Sequence, residues 1–181
     1  MNRTILTLLG TASFSVLAVE IETPSAPTVD RVGFPKDYAT QFAVLRTVIR
    51  KDEHKIVTVY GNKEAASVTN ATQLPYPYGS ILVMETVIAL QNSEGKPILD
   101  SKGELQRGKS SGLHVMRREK GFGEAYGKNR TGEWEYVEYR VDGTWITPAA
   151  KSATCAECHV KAGAAKDFVY EGRLGIKSGT Q

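Results

Sequence analysis

Runs of β-branched and aromatic residues, broken by glycine, proline and asparagine, organise the middle of this chain. Ile56-Val57-Thr58-Val59-Tyr60 fits a half-buried pleated surface and ends at Gly61-Asn62, which predicts a strand closed by a turn. Leu74-Pro75-Tyr76-Pro77-Tyr78-Gly79 is barred from helix by its two prolines and leads into a long apolar strand from Ser80 to Leu90. Asn92-Ser93-Glu94-Gly95 predicts a turn, and the polar, glycine-punctuated stretch from Ser101 to Gly112 predicts a loop. Two more strands are expected at Leu113 to Arg118 and Trp134 to Val141, the second ending at an Asp142-Gly143 turn.

Helical spacing is sparser. Pro35 at a helix start, followed by Tyr38, Phe42 and Leu45, predicts one helix, and Lys63 to Ala66 a short second one. Thr147-Pro148 resembles an N-cap with proline at the first helical position, so a C-terminal helix is expected from Pro148 to about Lys161, stopped by Gly163. Gly121, Gly123 and Gly127 lack dinucleotide-fingerprint spacing and predict a flexible loop. The sum is an α+β, β-rich fold: an antiparallel sheet with a few helices, the C-terminal one carrying the only two cysteines.

Those cysteines carry the chemistry. Cys155-Ala156-Glu157-Cys158-His159 is the attachment signature of a c-type haem. Positions three apart share one helix face, so both sulfurs can reach the two vinyl groups on one porphyrin edge, and His159 follows as the proximal iron ligand. A thioredoxin-like pair would stand at the start of a helix in an early βαβ unit, whereas this motif comes late, after strand-like sequence. A structural zinc site needs four ligands, and His54 and His114 supply them at no zinc-like spacing. The order also reverses that of small all-helical cytochromes c, in which the attachment motif comes early and a distal methionine late.

The N-terminus changes the address. Arg3 precedes an apolar run from Ile5 to Val19, with Val16-Leu17-Ala18 as a small-residue cleavage site, which predicts a signal peptide over residues 1–18 rather than a membrane anchor. Residues 19–33, rich in Pro, Ser and Thr, read as a leader or tether, 34–172 as the haem domain and 173–181 as a tail. Export to the periplasm suits haem c attachment, and with both cysteines committed to the porphyrin no structural disulfide is expected. Composition is ordinarily globular, 41% hydrophobic and 24% charged. A net charge of +3 concentrates in no dense basic run, so neither nucleic acid nor a membrane surface is an expected partner.

Several segments together resemble the cytochrome P-460 family: Phe34-Pro35-Lys36-Asp37-Tyr38, the strand Tyr78-Gly79-Ser80-Ile81-Leu82-Val83-Met84-Glu85, Gly132-Glu133-Trp134-Glu135-Tyr136, and the late haem motif with Lys166-Asp167-Phe168-Val169 after it. The resemblance implies a periplasmic, mostly antiparallel β protein, a homodimer with one covalent haem c per chain and an open distal side. Its best-known members oxidise hydroxylamine, and the β-type cytochromes c′ share the fold and bind nitric oxide or carbon monoxide. Carried over by position, Cys155 and Cys158 would attach the haem and His159 would ligate iron. The departure is Met84, which stands where hydroxylamine-oxidising members have a lysine cross-linked to the haem edge; Val57 falls where they have a distal arginine.

Met84 shares a strand face with Leu82 and Thr86, which the resemblance turns toward the haem. Its thioether is a candidate sixth ligand, and packing against porphyrin is the competing expectation. Met116 carries the same ambiguity. Among possible distal groups, His54 sits in a solvated Lys51-to-Lys55 turn, His114 in a strand, and Glu85 and Glu119 on strand positions that are ordinarily wet. Trp134, Tyr136 and Tyr139 are expected as core or haem-wall aromatics. Two functions follow. One is an electron carrier or binder of a small diatomic ligand, with an apolar distal wall and a small redox partner. The other is an oxidising enzyme drawing an acid or base from Glu85 or His114.

Overall fold

The computed structural model describes residues 25–170. The predicted signal peptide, the start of the leader and the C-terminal tail lie outside them. Six strands form one antiparallel meander in chain order: β1 (Ala43–Arg50), β2 (Lys55–Gly61), β3 (Ile81–Ala89), β4 (Arg107–Arg118), β5 (Trp134–Tyr139) and β6 (Trp145–Thr147). The helices are short: α1 (Tyr38–Gln41), α2 (Lys63–Ser67) and α3 (Ala153–Val160). The β-rich, antiparallel expectation holds.

Three local expectations do not. The helix running from Pro35 through Leu45 is one turn long, because Phe42 turns extended and Val44, Thr47, Val48 and Ile49 pair with β2 instead. Their β-branched side chains suit a pleated surface better than a helix. The expected loop from Ser101 to Gly112 is half strand, since β4 begins at Arg107 and its polar first residues pair with β3. The C-terminal helix starts late. Thr147 ends β6, Pro148 caps a single 3₁₀ turn at Ala149–Lys151, and the α-helix opens only at Ala153.

Each face of the sheet buries its own cluster. On one, Val59, Leu82, Met116, Trp134 and Tyr136 pack beneath α3 through Ala156, with Met84 and Cys155 against them. On the other, Tyr60, Val83, Leu113, Val115, Val137 and Tyr139 are covered by Val32, Phe34, Tyr38 and Phe42. The segment before α1 is therefore pinned to the sheet. Tyr139 donates its hydroxyl to Asp30 at 2.6 Å, Trp145 donates Nε1–H to the same oxygen at 3.0 Å, and Arg31 grips the Glu135 carboxylate, with Nε at 3.1 Å.

Glu135 is 1% exposed and also accepts the Gly123 N–H at 3.3 Å. Deleting its cation leaves a desolvated carboxylate, so Arg31→Ala should cost about 1–3 kcal/mol in urea unfolding. Adding Glu135→Gln to that variant should recover part of the loss, because a neutral amide is less costly to leave unpaired.

Candidate functional site

Antiparallel register builds the site from one transverse row. Val59 pairs with Met84, Met84 with His114, His114 with Glu138, and Glu138 with Thr147. The next row on the same face is Gly61, Leu82, Met116 and Tyr136. Apart from Gly61, these side chains and α3 line a half-open cavity of about 560 Å³, within the usual range for a small-molecule or cofactor cavity. Cys155, Cys158, His159 and Met84 all line it.

α3 is placed by Ser152, which is fully buried at its start. The Ser152 hydroxyl gives its hydrogen to the Ala149 carbonyl at 2.7 Å, so Tyr126 must be the donor in their 2.8 Å bond. Ala156 turns inward at 0% exposure, which brings the Cys155 and Cys158 side of the helix over the cavity. The two cysteines are not joined in a disulfide. Burial, reinforced by the Glu138 carboxylate, pushes the Cys155 thiol up to about 11.

His159 is oriented from behind. Its Nδ1 lies 2.7 Å from the carbonyl oxygen of Phe168, which can only accept, so Nδ1 carries the hydrogen and Nε2 keeps its lone pair. Burial lowers its pKa, outweighing the opposing bond to the Phe168 carbonyl, and favours that neutral ring. Tyr136 stacks on the imidazole at 4.5 Å and 29°, and Tyr170 meets it edge-on at 5.7 Å while donating its hydroxyl to the Cys158 carbonyl at 2.9 Å. A held neutral imidazole with a free nitrogen, beside two thiols of one helix face in an apolar cavity, is a donor set that fits haem.

The other candidates separate cleanly. Met84 is half-buried in the apolar cluster and lines the cavity, as Met116 does. Val57, paired with Thr86, lies on the cavity side of the sheet, but the arginine that lines the cavity is Arg50, at the end of β1. Glu85 is a correction. One residue along from Met84, it projects to the opposite face, where it accepts from Arg107 at 2.8 Å and Tyr60 at 3.3 Å, so it cannot serve as a distal acid. Glu119 is held by Arg117 at 2.8 Å outside the cavity, and His54 sits with φ 53° in the β1–β2 turn. Trp134 and Tyr136 share the cavity face, while Tyr139 belongs to the cluster behind the sheet.

The apolar wall expected for an electron carrier has a polar edge. His114 Nε2 stands 3.3 Å from Glu138 Oε1, and Thr147 donates its hydroxyl to the other Glu138 oxygen at 3.0 Å. Glu138 was readable as the same-face neighbour two residues after Tyr136, but its pairing with His114 depends on register. Arg50 was hidden because the start of β1 reads as helix and no strand is predicted over its second half.

The competing motif readings lose their footing here. The sheet contains no βαβ unit among the described residues, and no group of three or more His, Cys, Asp or Glu is assembled there to hold a metal ion. In haem-free protein Cys158, which is exposed, should react with iodoacetamide well ahead of Cys155, since only about one buried Cys155 thiol in a thousand is ionised at pH 8. Peptide mass spectrometry after timed alkylation reads the order; equal rates would contradict the placement of α3.

No curated protein matches the chain. The family model described as Cytochrome P460 matches residues 35–171, which span every strand and helix above. The chain belongs to the cytochrome P460 family, whose cofactor is haem.

Proposed function

We propose that this chain is an exported mono-haem c-type cytochrome that transfers electrons or binds a diatomic gas such as nitric oxide or carbon monoxide. The observation that carries the reading is the meeting of Cys155, Cys158 and the oriented His159 imidazole at one apolar cavity. When bound, the haem supplies an iron that exchanges one electron and accepts a small ligand. Cys155 and Cys158 would hold it by thioether bonds, and His159 would offer Nε2 as the axial donor. The wall of Val59, Leu82, Met84 and Met116 excludes water, and Tyr136 keeps the imidazole plane fixed. The apolar N-terminal run supports export.

A second reading, a haem enzyme oxidising hydroxylamine, is favoured by the His114–Glu138 pair, which can hold or pass a proton at the cavity wall. Met84 weighs against it, because a thioether cannot form the cross-link that an amine makes at that strand position in the hydroxylamine-oxidising members.

Exported protein, extracted with acidic acetone, should keep its pigment on the chain, and a Cys155→Ala/Cys158→Ala variant should release it. Carbon monoxide should shift the ferrous spectrum, and Met84→Leu should leave the ferrous spectrum without added gas as in wild type. Turnover of hydroxylamine with an electron acceptor would transfer the case to the enzyme reading. Pigment lost from the unaltered protein would end the c-type assignment.

A further inference from the structure

Beyond α3 the chain returns to the sheet through two consecutive residues with left-handed backbone, Asp167 at φ 47° and Phe168 at φ 60°. Neither is glycine, so surrounding contacts must offset the strain of both. The conformation aims the Phe168 carbonyl at His159 Nδ1. Within the turn, Asp167 N–H donates to the Ala164 carbonyl at 2.9 Å and Phe168 N–H to that of Gly163 at 3.0 Å, bonds that leave it untied to the sheet.

The polar tie is the Asp167 side chain, beside Val169, which packs in the cavity-side cluster. It is 6% exposed, and its Oδ2 accepts the Tyr76 N–H at 2.9 Å, with Arg118 Nε at 3.8 Å from the same oxygen. Tyr76 is itself 1% exposed and stands edge-on to Trp134 at 5.7 Å, so the far end of the tie is fixed in the core. Arg118 is further engaged by the Tyr76 carbonyl and by Glu133, and stacks over Tyr78 at 4.7 Å.

We propose that Asp167 is a positioning residue for the proximal imidazole, holding the Asp167–Phe168 turn by its bond to Tyr76 N–H so that the Phe168 carbonyl takes the Nδ1–H of His159. The proposal rests on the reading of His159 as iron ligand. A strong acceptor at Nδ1 makes Nε2 a better donor, which stabilises the oxidised metal and lowers its reduction potential. Asp167 lies outside the cavity and sets the strength of a bond made inside it.

Two substitutions separate this role from mere charge balance with Arg118. Asp167→Asn keeps an acceptor oxygen and tolerates left-handed backbone but removes the charge. Asp167→Gly keeps the backbone freedom and removes the acceptor. In exported, haem-loaded protein, D167N should match wild type in midpoint potential and in the ferrous iron–imidazole stretching frequency. D167G should move the potential positive and the stretch to lower frequency, with pigment still covalently attached. If D167G does not fold, D167S decides: its hydroxyl falls short of Tyr76 N–H, and a shift in the same direction supports the tie. Wild-type values in the folded serine or glycine variant, or a D167N shift as large as that of D167G, would overturn the positioning role alone. Unaltered protein without covalent pigment would instead overturn the haem reading and this proposal with it.

Discussion

The parity of an antiparallel meander governs everything in this molecule. Because side chains alternate across the pleat and every strand pairs with its sequence neighbour, one transverse row can run Val59, Met84, His114, Glu138 and Thr147 on a single face. Slip β3 by one residue against its neighbours and Glu85 would enter the cavity while Met84 left it. Burial on both faces is what prevents the slip: Leu82 and Val83, at 3% and 0% exposure, each have a cluster waiting on their own side.

That double burial also explains the segment before α1. A sheet with a cavity on one face must still cover the other, and Val32, Phe34 and Tyr38 do so. The polar cost is met locally. Asp30 takes hydrogens from Tyr139 and Trp145, and Arg31 reaches Glu135, a carboxylate that β5 parity forces behind the sheet. Tyr38 and Tyr60 surround Glu85 in the same way, and burial beside that carboxylate raises both phenols. The back of the sheet thus holds buried carboxylates met by half-exposed arginines, and the front is apolar at its centre, with polar contacts at its edges.

The sequence made the central strands legible, because Ile56 to Tyr60, Ser80 to Leu90 and Trp134 to Tyr139 are dense in residues that suit a pleat, and the C-x-x-C-H spacing singled out residues that meet at the cavity. It hid what depends on partners. β1 alternates weakly and borrows its conformation from β2; the start of β4 is polar because it pairs beyond the core; β6 is three residues long. The same blindness applies to the site. Cys155, Cys158, His159 and Met84 could be named from local pattern, whereas the Phe168 carbonyl, Glu138 and Arg50 reach it only through tertiary register and a reversing turn.

The two sides of the cavity differ in how much freedom they retain, and this bears on chemistry. Behind His159 each group is committed: Nδ1 to a carbonyl, the ring face to Tyr136, its edge to Tyr170. At the opposite wall Met84 is one flexible thioether in an apolar setting, and the His114–Glu138 pair is half open to solvent, with the His114 side chain 51% exposed. A contact that wet is screened and readily rearranged, so it does little to fix the geometry of that wall. Rigidity is concentrated on the imidazole side of the cavity, and adaptability on the side lined by Met84 and His114.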